Sequence, residues 1–258
     1  MVIRRIREHV ATHNWFAVAI DLGIVVVGVF LGTQANNWNE ARIERAAVAE
    51  YRHQIIDDLK SNEADVEGRK AYYQTVRAHA LAALAAIETP SSPRGEPFLV
   101  DAYQASQVWL RPLNRTGYDE MTGAGLSNGI GDRQMRSRLT AYYTQIRQFD
   151  VTALNMTSYR ERLRRVMPYK VQDAVQRRCG DRVTTVFGGA QMASLPQHCS
   201  LGLDSATTAL AVSWIEGARL GEDLTRHIAD IDQKIAGFDR FGRLAHDIRL
   251  LLEAQDRK

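Results

Sequence analysis

The sequence has 258 residues, of which 45% are hydrophobic and 24% charged, and its formal net charge is +3. This composition is typical of a folded protein and excludes extensive disorder, and the small net charge argues against a nucleic-acid-binding protein. No linker rich in proline, glycine or serine divides the chain into halves, and no repeat is present. We therefore expect one folded domain in addition to any membrane segment.

Residues 15–35 are the most apolar part of the chain. As an α-helix they reach about 31 Å, enough to cross the hydrocarbon core of a bilayer. Trp15 and Trp38 bracket the run, and tryptophan favours the membrane interface. We predict a transmembrane helix over residues 15–36. The alternative is a cleaved signal peptide ending at Ala35.

Three residues within this run bear on helix association. Asp21 is either interfacial, close to headgroup water, or makes a polar contact with another membrane helix. Gly28 and Gly32 form a Gly-x-x-x-Gly face that would allow close packing against a second helix, although the motif also arises by chance. A homo-oligomer or a membrane-protein partner is therefore a hypothesis at this stage.

The arginines around the span decide little about its orientation. Residues 1–14 form a short basic tail with three arginines, and three more follow the span. The two sides tie, but the short tail also carries the α-amino group, and long domains translocate largely regardless of charge. We therefore favour an N-terminus inside and a large domain outside. These arginines are Arg4, Arg5 and Arg7, then Arg42, Arg45 and Arg52.

The end of the span resembles the anchor of an uncharacterised bacterial membrane-protein family. The shared run is Gln-x-Asn-Asn-Trp-Asn-Glu after an apolar helix with an acidic residue near its start. A second, looser likeness begins at Tyr118 and extends to Tyr143. Asp21 departs from the family, where glutamate is usual, and Gly32 and Thr33 replace larger apolar residues. The shared residues are Gln34, Asn36, Asn37, Trp38, Asn39 and Glu40.

The resemblance implies a single-pass protein of the bacterial inner membrane with a helical periplasmic domain, and it implies no activity. Independently of the family, Trp38 is suited to the interface, and the neighbouring polar side chains can bond headgroups and water. We interpret Trp15 and residues 36–40 as an interfacial collar, with a docking collar for a partner as the alternative.

Helical periodicity dominates the remainder, residues 37–258, and predicts an all-α fold. We expect helices to pack as an antiparallel bundle. The predicted segments are a long helix over 40–88, a short helix near 98–111 within a helical core over 98–175, a loop over 179–199 with Val183–Phe187 extended, and C-terminal helices over 204–255. In the last segment, the predicted apolar stripe begins with Leu210, Trp214 and Leu224.

Local signals place several helix ends. Thr116 and Asp119 resemble a capping box that opens a short helix. A glycine-rich turn then precedes Asp132, which can cap the next helix. Asp204 or Ser205 caps the C-terminal segment. The glycines lack the lysine of a phosphate-binding loop, so we expect only a tight connection.

The two cysteines, Cys179 and Cys199, do not fit a zinc signature. In an oxidising compartment they would bridge and close a loop of about 20 residues, which stabilises a fold by roughly 3 kcal/mol. The alternative is two unrelated buried thiols.

Few residues suggest chemistry. Asp223, His227 and Asp230 share a helix face and suit a metal or a general base, but they equally suit a solvated face. Basic residues concentrate between 160 and 182 and suit either a solvated face or contact with anionic lipid. The arginines concerned are Arg160, Arg162, Arg164, Arg165, Arg177 and Arg178.

We therefore predict no catalytic residue, no metal and no cofactor. The leading hypothesis is a membrane-anchored interaction or sensing module that contacts lipid but not nucleic acid. The alternatives are an accessory subunit of a larger membrane complex and an enzyme with a site near Asp223 and His227.

Overall fold

A computed structural model describes residues 15–89, 91, 94–109, 111–154, 157–185 and 191–256. The predicted basic tail and Phe187 lie outside them. The all-α class is confirmed, with one short hairpin added. The helices are α1 (Trp15–Glu88), α2 (Glu96–Ala105), α3 (Thr116–Gly123), α4 (Arg133–Leu154), α5 (Ser158–Val166), α6 (Tyr169–Cys179), α7 (Ser205–Gly217) and α8 (Gly221–Asp256), with a 3₁₀ turn at Ser127–Gly129 and strands β1 (Arg182–Thr185) and β2 (Gln191–Ser194).

The chain divides into one unit up to Tyr51 and a second from Arg52. In the first unit the described residues are helical and belong to α1. Their side chains from position 19 to position 46 are exposed. This helix is long and apolar enough to cross a membrane, by length and composition.

In the second unit, three long helices hold the core. The α8 helix runs antiparallel to α1. Lys70 of α1 pairs with Asp239 of α8 at 2.8 Å, whereas the earlier α1 residue Glu63 pairs with the later α8 residue Arg249 at 2.6 Å. Stacked aromatic rings also join α8 to α4. They include the rings of Phe149 and Phe241, whose centroids lie 5.2 Å apart. The buried apolar face of α1 includes Ile55, Leu59, Val66, Tyr73, Val76 and Ala80.

The α1 helix ends at Glu88, as predicted from the proline that follows at position 90. Arg94 binds the end of the helix, with Nε donating to the carbonyl of Ala86 at 3.0 Å and Nη2 to that of Ile87 at 3.3 Å. The last carbonyls of a helix have no N–H donor within the helix, and the Arg94 side chain donates hydrogen bonds to two of them.

The helix predicted near 98–111 is wrong at its C-terminal end, because α2 stops at Ala105. The described residues that follow return along α1 without regular structure. Tyr73 accepts a bond from the backbone of Trp109 at 3.3 Å, and Asn62 donates to the carbonyl of Asn114 at 2.7 Å. We call the described residues 106–109 and 111–115 the return segment.

The capping box at Thr116 and Asp119 is also wrong. The Thr116 hydroxyl bonds Asn114 at 3.1 Å, and Asp119 pairs with Arg115. The α3 helix is instead capped from outside by Asp58 of α1, whose carboxylate accepts the backbone N–H of Gly117 at 2.8 Å.

Two other predicted caps are confirmed. Asp132 accepts the N–H of Met135 at 2.8 Å at the start of α4. Asp204, rather than Ser205, accepts the N–H of Thr207 at 2.7 Å at the start of α7. In both cases the side chain bonds a residue three positions on, which a local pattern can specify.

The C-terminal segment is two helices, with a break at residues 218–220 where Arg219 adopts a φ of 50°. The stripe predicted through Leu210 and Trp214 is wrong, because both side chains are exposed. The buried face of α7 is instead formed by Ala211, Val212 and Ile215.

The predicted irregular loop over 179–199 contains an antiparallel hairpin in its described part. Its register pairs Arg182 with Ser194 and Thr185 with Gln191. Val183 is extended, as expected.

Candidate functional site

The predicted membrane residues lie on an uncovered helix. Asp21, Gly28 and Gly32 are exposed. Apart from the neighbouring backbone of the helix itself, no described atom lies within 4 Å of a Cβ built on Gly28 or Gly32. Large apolar side chains surround them, with Leu22, Val25, Val29, Phe30 and Leu31 each more than half exposed. Soluble monomers rarely expose a contiguous apolar patch of this kind.

The collar residues are exposed too. Asn36 donates to Glu40 at 2.7 Å, which joins one turn of the helix. The Trp38 residue is 66% exposed. Trp15, Asn37 and Asn39 are likewise exposed. The arrangement suits an interface with lipid or with a partner equally.

Two of the predicted surface arginines face the interior of the domain. Arg160 donates to the backbone carbonyl of Ser106, and Arg164 donates to its hydroxyl at 2.9 Å. The Arg164 guanidinium also stacks 3.5 Å from the centroid of the Tyr103 ring. Burial lowers the pKa of Arg164. These two cations therefore hold the C-terminal end of α2.

The other four arginines lie at the surface. Arg162 pairs with Asp223 and also donates to the carbonyl of Ala218 at 2.8 Å. Arg177 pairs with Asp173 at 2.6 Å on its own helix. Contact with an anionic surface stays a prediction, and it rests chiefly on the exposed Arg165 of α5 and Arg178 of α6.

The residues proposed for chemistry are used in contacts between helices. The His227 ring bonds the carbonyl of Ala105 through Nε2 at 2.7 Å and the hydroxyl of Thr157 through Nδ1 at 2.6 Å. A carbonyl only accepts, so Nε2 carries the proton and Nδ1 accepts from the threonine. Burial lowers the pKa of His227, which keeps the ring neutral. Asp223 also accepts from Ser158 at 2.7 Å.

This arrangement does not favour a metal at these residues. Both His227 nitrogens are occupied by protein groups, and Asp230 lies half-buried without joining the contact. Across the described ranges, no group of three histidine, cysteine, aspartate or glutamate side chains has the geometry to hold a metal ion.

Cys179 and Cys199 form a disulfide with a Cα–Cα distance of 5.9 Å. Cys179 is fully buried at the end of α6. Its carbonyl accepts a bond from the Gln104 side chain of α2 at 2.5 Å. The bridge therefore fixes the loop to the inner part of the domain.

A cavity beside this disulfide contains a histidine that sequence reasoning did not connect to any partner. His79 of α1 bonds Asp101 of α2 through Nδ1 at 2.7 Å. Both residues line a cavity of about 470 Å³ together with His198 and Cys199. The other described lining residues are Thr75, Ala78, Ala82, Pro97, Val100 and Gln197.

No sequence signal could have found this pair, because it depends on how the chain turns between α1 and α2. Residues 79 and 101 share no helix face or motif, and they meet only when α2 folds back beside α1. A histidine–carboxylate pair can orient a ligand, hold a metal or act in proton transfer.

Comparisons with known proteins add no further identification: no protein-family model matches the chain, and neither curated proteins nor solved structures give a match.

Proposed function

We propose that this chain is a single-pass membrane protein whose helical domain serves as an interaction or sensing module without catalysis of its own. The observation that carries the proposal is the uncovered apolar surface of α1 before Trp38. In water this surface would cost about 25 cal/mol per Å² of apolar area, whereas lipid accommodates it.

A cleaved signal peptide would share the length and composition of this helix with a retained membrane anchor. The α1 helix passes without interruption through Ala35, where a signal peptidase would cut. In a signal peptide, a cleavage site of small residues follows an apolar core that is shorter than a membrane-spanning helix. A helix that continues through this position therefore supports a retained anchor.

Membrane fractionation combined with intact mass tests the anchor. We expect the full-length chain in the membrane pellet after alkaline carbonate washing, and in solution only with detergent. A mature chain beginning at Asn36, or recovery in the supernatant without detergent, would refute the proposal.

For orientation, we propose a cytoplasmic N-terminus and a periplasmic domain. The bond between Cys179 and Cys199 supports it, because disulfides persist mainly in oxidising compartments. Reporters active on only one side of the membrane, fused after residue 258, should give alkaline phosphatase activity and no green fluorescence. The reverse pattern would place the domain in the cytoplasm.

Cross-linking in native membranes tests the interaction role. We expect either a homo-oligomer or a defined membrane-protein partner, identified by mass spectrometry. Recovery of neither, at several cross-linker lengths, would count against an interaction module and leave sensing as the remaining role.

A second candidate is an accessory subunit that associates through its membrane helix. Asp21 favours it, because a carboxylate in a lipid-facing helix is costly unless it has a polar neighbour. Asp21→Leu and Gly32→Leu should both weaken co-purification of the complex. Gly23→Leu is the control, since position 23 lies on a different face from Gly28. Unchanged recovery of the complex with both test variants would exclude the idea.

A further inference from the structure

An open groove of about 420 Å³ lies between α4 and α8, and three phenylalanines from both helices line it. The ring centroid of Phe149 lies 5.2 Å from that of Phe238 and 5.2 Å from that of Phe241. Phe238 and Phe241 are buried in the core, whereas Phe149 is only half-buried. The groove therefore has an aromatic wall, in which Phe149 is the most exposed ring.

The polar lining of the groove is positive. Among its described lining residues the charged ones are Lys234 and Arg240, and none is aspartate or glutamate. Arg240 is exposed, and no hydrogen bond or ion pair joins it to another described residue. Its guanidinium is always protonated and offers several N–H donors. The side-chain amides of three glutamines add neutral donors, at Gln145, Gln148 and Gln233.

The nearby carboxylates of α8 are used on the other side of the helix. Asp239 pairs with Lys70 of α1 at 2.8 Å, and Asp232 pairs with Arg77 of α1. These carboxylates are seven residues apart and so lie on one face, toward α1. The cations that line the groove therefore keep their positive potential, which favours an anion.

Lys234 lies deeper in the domain than Arg240. It is half-buried, and its Nζ atom is 5.6 Å from the centroid of the Tyr73 ring. Burial lowers the pKa of Lys234, and the charge of Asp230, one turn earlier, only partly opposes this. Charges interact more strongly where water is partly excluded, so an anion in the groove gains from Lys234 as well as from Arg240.

Gly237 keeps the groove open at its centre. The lining positions 233, 234, 240 and 241 fall within about 60° of it around the helix, on both sides, so a side chain at 237 would project into the groove. Glycine is a poor helix former, yet Gly237 has no positive φ to require it. Apart from the backbone of the helix itself, no described atom lies within 4 Å of a Cβ built there. Neither packing nor backbone conformation therefore explains the glycine, whereas an open binding groove does.

We propose that this groove binds a small aromatic carboxylate, with its ring against Phe149 and its carboxylate held by Arg240. Binding sites commonly combine an apolar lining with a few placed polar groups, and the volume suits a molecule with one ring. The proposal goes beyond the membrane-anchored module proposed above and does not depend on the anchor. It assigns the domain a ligand of a definite class.

Probes of similar size separate the charge of the ligand from its ring: sodium phenylacetate, phenylacetamide, phenethylamine hydrochloride and sodium cyclohexylacetate. Each is titrated by calorimetry into the full chain in detergent at pH 7.5 and low ionic strength, and a titration into detergent alone is subtracted. We expect saturable binding of phenylacetate and no binding of phenethylamine. Phenylacetamide should bind roughly ten-fold more weakly, because hydrogen bonds to a charged group are stronger. Cyclohexylacetate should bind about two- to ten-fold more weakly, because it cannot stack on an aromatic ring.

Two variants test the position of the site. Gly237→Leu should abolish phenylacetate binding, because the new side chain fills the groove. Gly123→Leu is the matched control, since a Cβ at this exposed position of α3 also meets open space. Arg240→Gln should weaken phenylacetate binding about three-fold and leave phenylacetamide binding unchanged. Its control is Arg226→Gln, at another exposed arginine of α8 that does not line the groove.

Several results would overturn the proposal. Equal affinities for phenylacetate and phenylacetamide, or for phenylacetate and cyclohexylacetate, would refute the ligand class. Phenylacetate binding that is absent, or that survives Gly237→Leu, would refute the site. Circular dichroism checks that each variant is folded, and if Gly237→Leu is not, the probes and Arg240→Gln decide alone.

Discussion

Asp58 is a buried carboxylate that should make the stability of the domain depend on pH. The residue is 6% exposed and accepts the backbone N–H of Gly117 at 2.8 Å. Burial raises its pKa from 3.8 to about 6, with smaller contributions from Asp57, Glu120 and Asp119, and the bond from Gly117 only partly opposes this.

The direction of the effect follows from where the proton is held. Because the folded-state pKa exceeds the unfolded-state pKa, the folded chain keeps a proton that the unfolded chain has lost. The resulting stabilisation is complete below the unfolded-state pKa and is lost as pH rises through about 6. A difference of about 2 pH units corresponds to roughly 3 kcal/mol.

Asp58→Asn removes the titration and keeps an oxygen that can accept from Gly117. Thermal unfolding of the full chain in detergent, followed by circular dichroism between about pH 4 and pH 7.5, measures the effect. As the pH rises across this range, the melting temperature of the variant minus that of the unaltered chain should increase by about 5–10 °C. This follows because 1 kcal/mol corresponds to about 2–4 °C in a domain of this size.

The test uses the pH dependence of the difference in melting temperature between Asp58→Asn and the unaltered chain. If the new amide group lacks a hydrogen-bond partner, the melting temperature of the variant falls by the same amount at every pH, and the pH dependence of the difference stays the same. Asp57→Asn removes an exposed carboxylate one position away that contributes only a smaller part of the raised Asp58 pKa, so its pH dependence should stay close to that of the unaltered chain. A curve for Asp58→Asn that runs parallel to that of the unaltered chain would show that the Asp58 pKa is not raised.

Three further outcomes are expected in the same unfolding assay. Gly117→Ala should cost about 1–3 kcal/mol, because its Cβ would lie 2.9 Å from the Gln54 side chain and 3.0 Å from backbone atoms of α1; Gly123→Ala in the same helix meets open space and should not destabilise. Arg69→Met should cost about 3–5 kcal/mol, since it leaves the buried carboxylate of Asp65 without its 2.5 Å partner, and a smaller loss than Gly117→Ala would contradict this. Reducing the disulfide should cost about 3 kcal/mol for a sequence separation of 20, and an unchanged melting temperature would show that the bridge does not stabilise the fold.

The parts of the fold predictable from sequence are those that depend on neighbours along the chain. The end of α1 at Glu88, and the caps at Asp132 and Asp204, each follow from a residue and a bond within a few positions. The capping box failed at Thr116 because its role is taken by Asp58, which lies in another helix. A local pattern holds no information about such a distant donor or acceptor.

The errors on the C-terminal side have a related cause. A helix break at Arg219 requires a positive φ that arginine rarely adopts, so nothing in the residue type signals it. The sequence pattern therefore predicts one stripe running through both helices, which lies one residue away from the buried face of α7, on Leu210 and Trp214. The candidate site at His79 was missed for the same reason, since its partner Asp101 is brought near only by the turn that follows α1.

The buried polar residues of α1 can be explained without chemistry. Asp58, Asn62, Asp65 and Arg69 lie at four- and three-residue spacing, on one face of the helix, and that face meets the return segment and the start of α3. The return segment has no regular structure, so its backbone groups need side-chain partners, which an apolar stripe would not provide. Asn62 bonds the backbone of Asn114 through both its oxygen and its nitrogen, and Arg69 bonds the carbonyl of Arg111 at 2.6 Å. His79, on the same helix, pairs instead with a side chain of α2, Asp101, at 2.7 Å. We therefore assign the polar face a role in folding.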